Sequence, residues 1–398
     1  MKKRIIFVTT ALWIGGIETA LVNLLKQFDY DAFEVTLLIT KAELNLLPRV
    51  DPRCRVLIAD RDRTYDFKKP YRHRRLYHLL EKPSAPSRLH RLFSWTFPFL
   101  RWVENRRYIR YIHSCMRDED FDTAVIYSDA VAELGVKSIR AGAYLLYYHH
   151  GIMRRTYHDG VAWKRCGHVI AVAEHQAANL RAFRPEFAEK ITAIHNLADV
   201  DGVVKKAGEE PPQKFDADRF HIVTVGRVSP EKGMDLAVLA CKELICAGFD
   251  NFCWWIVGEG PAMREVRTLI ADNHLNDVVK TVGMAENPYP YIRRADLYVQ
   301  PSRFEGYPMT LLEALALGCA VVSTANPGAM EVLGAGRAGL LCEATPSAIA
   351  ETIQTIRKDP SKLAELRRNA SDVDLKAENQ KALERLYILL KEKKEEDR

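Results

Sequence analysis

Short runs of β-branched and aliphatic residues alternate with longer amphipathic stretches along this chain, and the series occurs twice. In the first series, strands are predicted at 4–9, 34–38, 55–58, 123–126, 143–149, 168–171 and 191–194. Helical periodicity falls between them at 18–29, 130–140 and 174–181. A repeated strand–helix–strand order implies a parallel sheet with helices on both faces. Residues 205–219 then break the pattern, with Gly208, Pro211 and Pro212 set among charges, the composition of a linker. The pattern restarts with strands predicted at 220–225, 254–257, 278–282, 297–300, 320–323 and 339–341, and helices at 234–247, 262–271, 308–317 and 347–357. The expected fold class is therefore α/β, two doubly wound parallel-sheet domains in tandem. Their expected limits are 1–200 and 220–362, with a linker at 201–219 and a charged helical segment at 363–398. Ligands of such sheets sit beyond the C-terminal ends of the strands, where the strand order reverses.

Charge is unevenly distributed. The chain carries 58 Lys and Arg against 52 Asp and Glu, yet residues 61–110 alone hold 14 basic and 4 acidic side chains. The remainder has 44 basic and 48 acidic residues, so one segment makes a mildly acidic protein basic. Eight cysteines lie scattered with no C-x-x-C spacing, and several fall in apolar runs, as expected of buried thiols in a reducing compartment. The start, Met1-Lys2-Lys3-Arg4, is followed by four apolar residues, too few for a signal-peptide core, and reads as the first strand. No run approaches the roughly 20 apolar residues of a membrane-spanning helix. A cytoplasmic protein is expected, or one lying on the inner face of a membrane without crossing it.

Four constellations fall where the two sheets predict a ligand. Gly15 and Gly16 open the first helix, where backbone N–H groups at a positive helix end can approach a diphosphate. A turn with no ligand is an equal reading of that pair alone. Val225-Gly226-Arg227-Val228-Ser229-Pro230-Glu231-Lys232-Gly233 ends another strand. Arg227 offers a planar fork for phosphate oxygens and Lys232 a mobile charge. Third, Glu305 and Glu313 flank a helix start at Pro308. Each carboxylate can accept from vicinal sugar hydroxyls, while the amides of Met309, Thr310 and Leu311 aim the helix dipole between them. Fourth, Tyr147-Tyr148-His149-His150-Gly151 ends a first-domain strand. Neighbouring residues there point to opposite faces, so one histidine of the pair faces the cleft.

Together, Gly226-Arg227-x4-Lys232-Gly233, Gly258-Glu259-Gly260-Pro261, Pro301-Ser302 and Glu305-x7-Glu313 resemble the retaining GT-B glycosyltransferases of the glycogen-synthase-like superfamily. The closest likeness is to the bacterial "glycosyl transferases group 1". In the first half the resemblance rests on Gly15-Gly16-x-Glu18, His150-Gly151, Val172-Ala173-Glu174 and His195-Asn196. It implies a GT-B fold of two Rossmann-like domains facing across a cleft, and transfer of a hexose-type sugar from a nucleotide-diphosphate sugar, UDP being the commonest in relatives. The donor is then a substrate, and no cofactor and no divalent metal are implied. On these positions, Arg227 and Lys232 would neutralise the diphosphate, Glu313 would hold the ribose and Glu305 a hydroxyl of the transferred sugar. Gly16 would meet the phosphates, and His150, favoured over His149 by the His-Gly match, would contact the sugar. The loop 324–331 departs from the pattern of many relatives, because Ala329 stands where some have glycine.

Residues 61–110 also hold ten aromatics, Trp95 and Trp102 among them. Basic side chains beside Trp and Phe are attracted to anionic bilayers at roughly 1 kcal/mol per Lys or Arg. The segment is expected to dock on the inner leaflet and present a lipid-linked or oligosaccharide acceptor in cell-surface glycan synthesis. Solvated arginine faces over an aromatic core are the plainer reading. Nucleic acid is not an expected partner, because it would leave the carboxylate pair unused. The alternatives to transfer are another GT-B activity, such as nucleotide-sugar epimerisation, and a non-enzymic carbohydrate- or nucleic-acid-binding role.

Overall fold

The computed structural model describes residues 2–60, 97–116, 119–149 and 159–392, the side chains of 97–105 and 159 excepted. Seven parallel strands build the first sheet: β1 (Lys3–Thr9), β2 (Phe33–Ile39), β3 (Arg55–Ile58), β4 (Asp120–Ile126), β5 (Arg140–Tyr148), β6 (His168–Ala171) and β7 (Ile191–Ala193). Their order is β3-β2-β1-β4-β5-β6-β7. Six parallel strands build the second: β8 (Phe220–Val225), β9 (Phe252–Val257), β10 (Val279–Gly283), β11 (Leu297–Gln300), β12 (Val321–Thr324) and β13 (Leu340–Cys342), in the order β10-β9-β8-β11-β12-β13. The expected class, two doubly wound α/β units, is what the chain forms. The order reverses between β1 and β4 in one sheet and between β8 and β11 in the other. Those two points are where such sheets bind ligands.

Apolar strands buried on both faces explain the parallel architecture. Ile5, Ile6, Phe7 and Val8 of β1 are all fully buried, odd and even residues packing into separate clusters on opposite faces of the sheet. Strand β5 starts three residues earlier than its apolar run predicts, because Asp120 and Phe121 of β4 pair with Arg140 and Ala141 and extend the ladder. Four short α-helices among the described residues escaped the periodicity: Tyr289–Arg294, Pro327–Val332, Asp159–Arg165 and Val200–Lys206, the last of which runs into the expected linker 201–219. The first reads as a turn because Pro288 and Pro290 flank Tyr289, although proline is well tolerated in a first turn. Loop closeness rests on two glycines. Gly233 has φ +66°, and a Cβ there would lie 2.0 Å from the Pro301 carbonyl oxygen. Gly258 has φ +147°, and a Cβ there would lie 1.9 Å from the Gly226 oxygen. These contacts press the turns after β8, β9 and β11 together.

Beyond residue 359 the chain forms two helices with different destinations. Pro360–Ser371 buries Leu366 and Ala370 among second-sheet residues. Leu375–Lys391 returns to the first sheet and buries Ala382, Leu383, Leu386 and Leu390 with Phe28 and Phe33. Tyr387 packs edge-on against Phe28 at 5.3 Å, and its hydroxyl accepts from the Asp29 amide at 2.8 Å. Among the described residues, no helix is long and apolar enough to cross a membrane, and all eight cysteines are free thiols, only Cys246 of them exposed. The terminal helix should therefore be part of the first unit's core. Leu386→Ala, at a fully buried position, should destabilise the protein by about 2–5 kcal/mol. Denaturant unfolding would measure it, and a change under about 0.5 kcal/mol would show the helix to be only laid against the surface.

Candidate active site

The turn after β8 and the loop after β11 meet at one ion pair. Lys232 Nζ donates to both carboxylate oxygens of Glu305 at 2.7 Å. Glu305 is 6% exposed, and its Oε1 also accepts from Gln300 Nε2 and Ser302 Oγ, each at 2.7 Å. Gln300 is itself fixed, its Oε1 accepting from Thr310 Oγ1 at 2.9 Å and from the Tyr298 hydroxyl at 3.2 Å. A buried carboxylate needs this many donors, because each unmatched polar contact there costs about 1–3 kcal/mol. Arg227, on the same turn as Lys232, reaches outward, and its Nη2 donates to Glu231 at 2.6 Å.

Glu313 lies in the second turn of the helix Met309–Ala316, and Met309, Thr310 and Leu311 form its first turn. Burial pushes its carboxyl up to about 7, against the Tyr289 hydroxyl, which donates to it at 3.2 Å, and the charge of Arg49. Arg49 belongs to a short turn, Leu47–Arg49, on the first-sheet side, so both halves contribute to the surroundings of Glu313. Neither Arg49 nor Tyr289 carries a sequence signal.

Gly15 and Gly16 open the helix Gly16–Lys26 beyond β1, at the first sheet's reversal point. A Cβ on Gly15 would lie 2.5 Å from Glu18 Oε2, whereas one on Gly16 would meet nothing within 4 Å. Gly15 is thus covered by a side chain and the face of Gly16 is open. Glu18 is buried, which pushes its carboxyl up to about 7 although its own amide and the Trp13 indole hydrogen-bond it and Arg227 lies near enough to oppose the rise. Ala20 of this helix shares an apolar cluster with Met309, Leu311 and Leu312, which brings the two helix starts together across the cleft.

The loop carrying Glu305 also touches the end of β5. A Cβ on Gly306 would lie 2.7 Å from Gln176 Nε2 and 3.3 Å from the His149 carbonyl oxygen. The His149 ring packs against Tyr127 at 4.7 Å and stacks on Tyr147 at 5.7 Å. His150 and Gly151 lie outside the described residues, as do 61–96 of the basic segment. Ala329, expected to alter the loop after β12, is fully buried, and its amide donates to Asn326 Oδ1 at 3.0 Å in a helix cap. Among the described residues no group of three or more His, Cys, Asp or Glu is set to hold a metal. The site as a whole can grip hydroxyls with Glu305 and Glu313 and anionic oxygens with Arg227, Lys232 and the open backbone of Gly16.

Sequence comparison matches residues 206–373 to the family described as Glycosyl transferases group 1 and residues 14–201 to Glycosyltransferase Family 4. A Campylobacter jejuni N-acetylgalactosamine-N,N'-diacetylbacillosaminyl-diphospho-undecaprenol 4-alpha-N-acetylgalactosaminyltransferase is 31% identical over 191 residues, 48% of this chain and 50% of that protein. The amylovoran biosynthesis glycosyltransferase AmsK of Erwinia amylovora is 35% identical over 145 residues, 33% of this chain and 35% of that one. The matched segments span only a third to a half of the length of such relatives. Among solved structures, Anabaena HepE in complex with UDP and glucose aligns with a TM-score of 0.68 at 18% identity, covering 97% of this chain and 99% of that one. Staphylococcus aureus TarM in a complex that includes UDP aligns at 0.71 and 13%, covering 98% and 100%. The fold is GT-B, and these matches support a group 1 glycosyltransferase.

The raised carboxyl of Glu313 has a testable consequence for stability. Its folded-state pKa, about 7, lies above the ordinary 4.5, so the folded chain binds that proton more tightly than the unfolded one. The resulting stabilisation is complete below 4.5 and is lost as pH rises through about 7. Glu18 acts in the same sense. Glu313→Gln should therefore flatten part of the fall in melting temperature between about pH 5 and about pH 8, and Glu18→Gln with it should flatten more. Thermal melts across that range giving parallel curves for wild type and both variants would refute the assignment.

Proposed function

We propose that the protein transfers a hexose-type sugar, with retention of anomeric configuration, from a nucleotide-diphosphate sugar to a lipid-linked or polysaccharide acceptor in cell-surface glycan synthesis. The observation that carries this reading is the Lys232–Glu305 pair at the reversal point of the second sheet, with Glu313 one helix turn further on. A UDP donor is supported by the UDP named with HepE and TarM, and a lipid-linked acceptor by the undecaprenol in the name of the Campylobacter relative.

In this reading Glu313 holds the ribose, Glu305 a hydroxyl of the transferred sugar, and Arg227 and the Gly16 backbone the diphosphate. Lys232 neutralises Glu305 in the free protein. When the donor arrives, a sugar hydroxyl replaces the ammonium on Glu305, and Lys232 turns to the charge developing on the leaving phosphate. The leaving phosphate oxygen takes the acceptor's hydroxyl proton as the glycosidic bond forms on the same face, so the chain's own contribution is position and charge. His150 would steady the sugar near the reacting carbon. Positive side chains, rather than a divalent metal, balance the diphosphate. The basic, aromatic segment 61–110 holds the enzyme on the inner face of the plasma membrane, where such an acceptor lies.

Glu305→Gln keeps the shape and two of the polar contacts, and Lys232→Ala removes the cation. Each should lower kcat/KM at least about 100-fold, while circular dichroism shows Glu305→Gln still folded at the assay temperature. Near-wild-type turnover by either variant with its true donor would sink the site assignment. For the segment, replacing Arg72, Arg74 and Arg75 together with Ser should reduce co-sedimentation with anionic vesicles, and unchanged sedimentation would remove membrane docking.

A further inference from the structure

The two halves of the protein are joined, away from the Lys232–Glu305 pair, by a further carboxylate that is only partly buried. Glu331 lies on the helix Pro327–Val332, at the second sheet. Its Oε1 accepts from the Glu174 amide at 2.7 Å and lies 2.7 Å from His195 Nε2. Its Oε2 lies 2.9 Å from His175 Nδ1 and 3.3 Å from the His175 amide. All of these partners belong to the first-sheet side, Glu174 and His175 at the start of the helix Glu174–Phe183 and His195 just after β7. One carboxylate therefore spans two separate elements of the opposite half, and a helix N-terminus favours its charge. Burial opposes ionisation, but the bonds from the two histidines and two amides hold the carboxyl well below the usual range. Among the described residues, His175 Nε2 is buried without a partner. A proton there would be an unmatched donor, whereas one on Nδ1 is matched by Glu331.

From Glu331 the contacts lead directly to the loop of Glu305. Asn326 caps the short helix by accepting from the Ala329 amide at 3.0 Å, and its Nδ2 donates to the Ser302 carbonyl at 3.1 Å. The Ser302 hydroxyl in turn donates to Glu305. Gly328 packs so tightly on the same loop that a Cβ would lie 2.6 Å from the Gly306 oxygen. The ring of Tyr307 stacks on His195 at 4.6 Å with the planes 13° apart. His195 is thus held at its edge by Glu331 and on its face by the loop that bears Glu305.

We infer that Glu331 is a positioning residue, latching the Glu305–Tyr307 loop to the first domain through His175 and His195, and that turnover requires this latched state. The inference rests on the transferase reading above for its turnover part, and on geometry alone for the latch. Arg227 and Glu313, which would hold the nucleotide, lie outside the latch. Breaking it should spare nucleotide binding and impair the alignment of sugar and acceptor. A displacement of about 1 Å at a reacting centre costs up to about 100-fold in rate.

Three variants separate the latch from ordinary stabilisation. Glu331→Gln keeps the volume but places an amide NH₂ against donors. His195→Phe keeps a ring on Tyr307 without the edge donor, and His195→Gln keeps a donor without the ring. For Glu331→Gln and His195→Phe, kcat should fall about 10- to 100-fold while the donor KM, and UDP affinity by calorimetry, stay within about twofold. His195→Gln should recover part of the loss. Small-angle scattering should show Glu331→Gln more extended than wild type and less compacted by UDP. Wild-type kcat in Glu331→Gln, or a loss of UDP affinity as large as the loss of turnover, would overturn the inference. If the wild type bound no UDP, the transferase reading and the turnover part would fall together, whereas equal scattering of wild type and Glu331→Gln would overturn the latch itself.

Discussion

A carboxylate buried as deeply as Glu305 can persist only if its charge is matched, and the arrangement of the second domain's strand ends follows from that requirement. The match is Lys232, which must arrive from a different turn, 73 residues away in sequence. Bringing it there forces Gly233 into the left-handed region and presses its Cα against the Pro301 carbonyl, a place no side chain can occupy. The remaining lone pairs on Glu305 recruit Gln300 and Ser302, and Gln300 then recruits Thr310 from the next helix. A strand end, two loops and a helix start are therefore set by one ion pair. In the proposed transfer the same pair stores two charges that a donor takes over with little reorganisation, and such preorganisation is what electrostatic catalysis requires.

Legibility in the sequence follows the range of each interaction. Strands, the turns that end them and the helices that follow are determined within a few residues, so both sheets and the turns bearing Gly16, Lys232 and Glu305 could be read directly. The Lys232–Glu305 bond could not, although both residues drew notice separately, because no local pattern links positions 73 apart. Glu331 goes further, with partners 136 to 157 residues away on the first-sheet side. The terminal helix shows the same limit. Its apolar stripe, Ala382, Leu383, Leu386 and Leu390, is periodic, yet nothing in the period states that it crosses back to Phe28 and Phe33. Tyr289 was hidden differently, because the prolines around it read as breakers while serving as a helix start.

The uneven charge of the chain gains meaning beside the site. In the cleft, Arg227 is paired with Glu231 and Lys232 with Glu305, so the cations there are balanced before any ligand binds. The surplus lies in 61–110, with 14 basic residues against 4 acidic ones. A general attraction to polyanions would have placed unpaired cations along the cleft. Balanced cations in the cleft and a separate basic segment fit the two tasks proposed above, selecting a charged donor at close range and locating the protein at an anionic surface.

The chain passes between the two sheets twice, through the segment that follows Ala198 and again just before Leu375. At these passages Asn379 bonds to both the amide and the carbonyl of Ala198, and Lys376 pairs with Asp201. The two strands of the connection are thus tied to each other, and a rotation of one domain about them can leave those bonds intact. The bonds of Glu331 to His175 and His195 lie away from the connection and join residues of opposite halves. A rotation that separated the halves about the connection would break the Glu331 contacts and the stacking of Tyr307 on His195. Because Tyr307 and Glu305 share one short loop, the geometry of the Glu305 carboxylate is tied by covalent chemistry to the contacts that join the two halves.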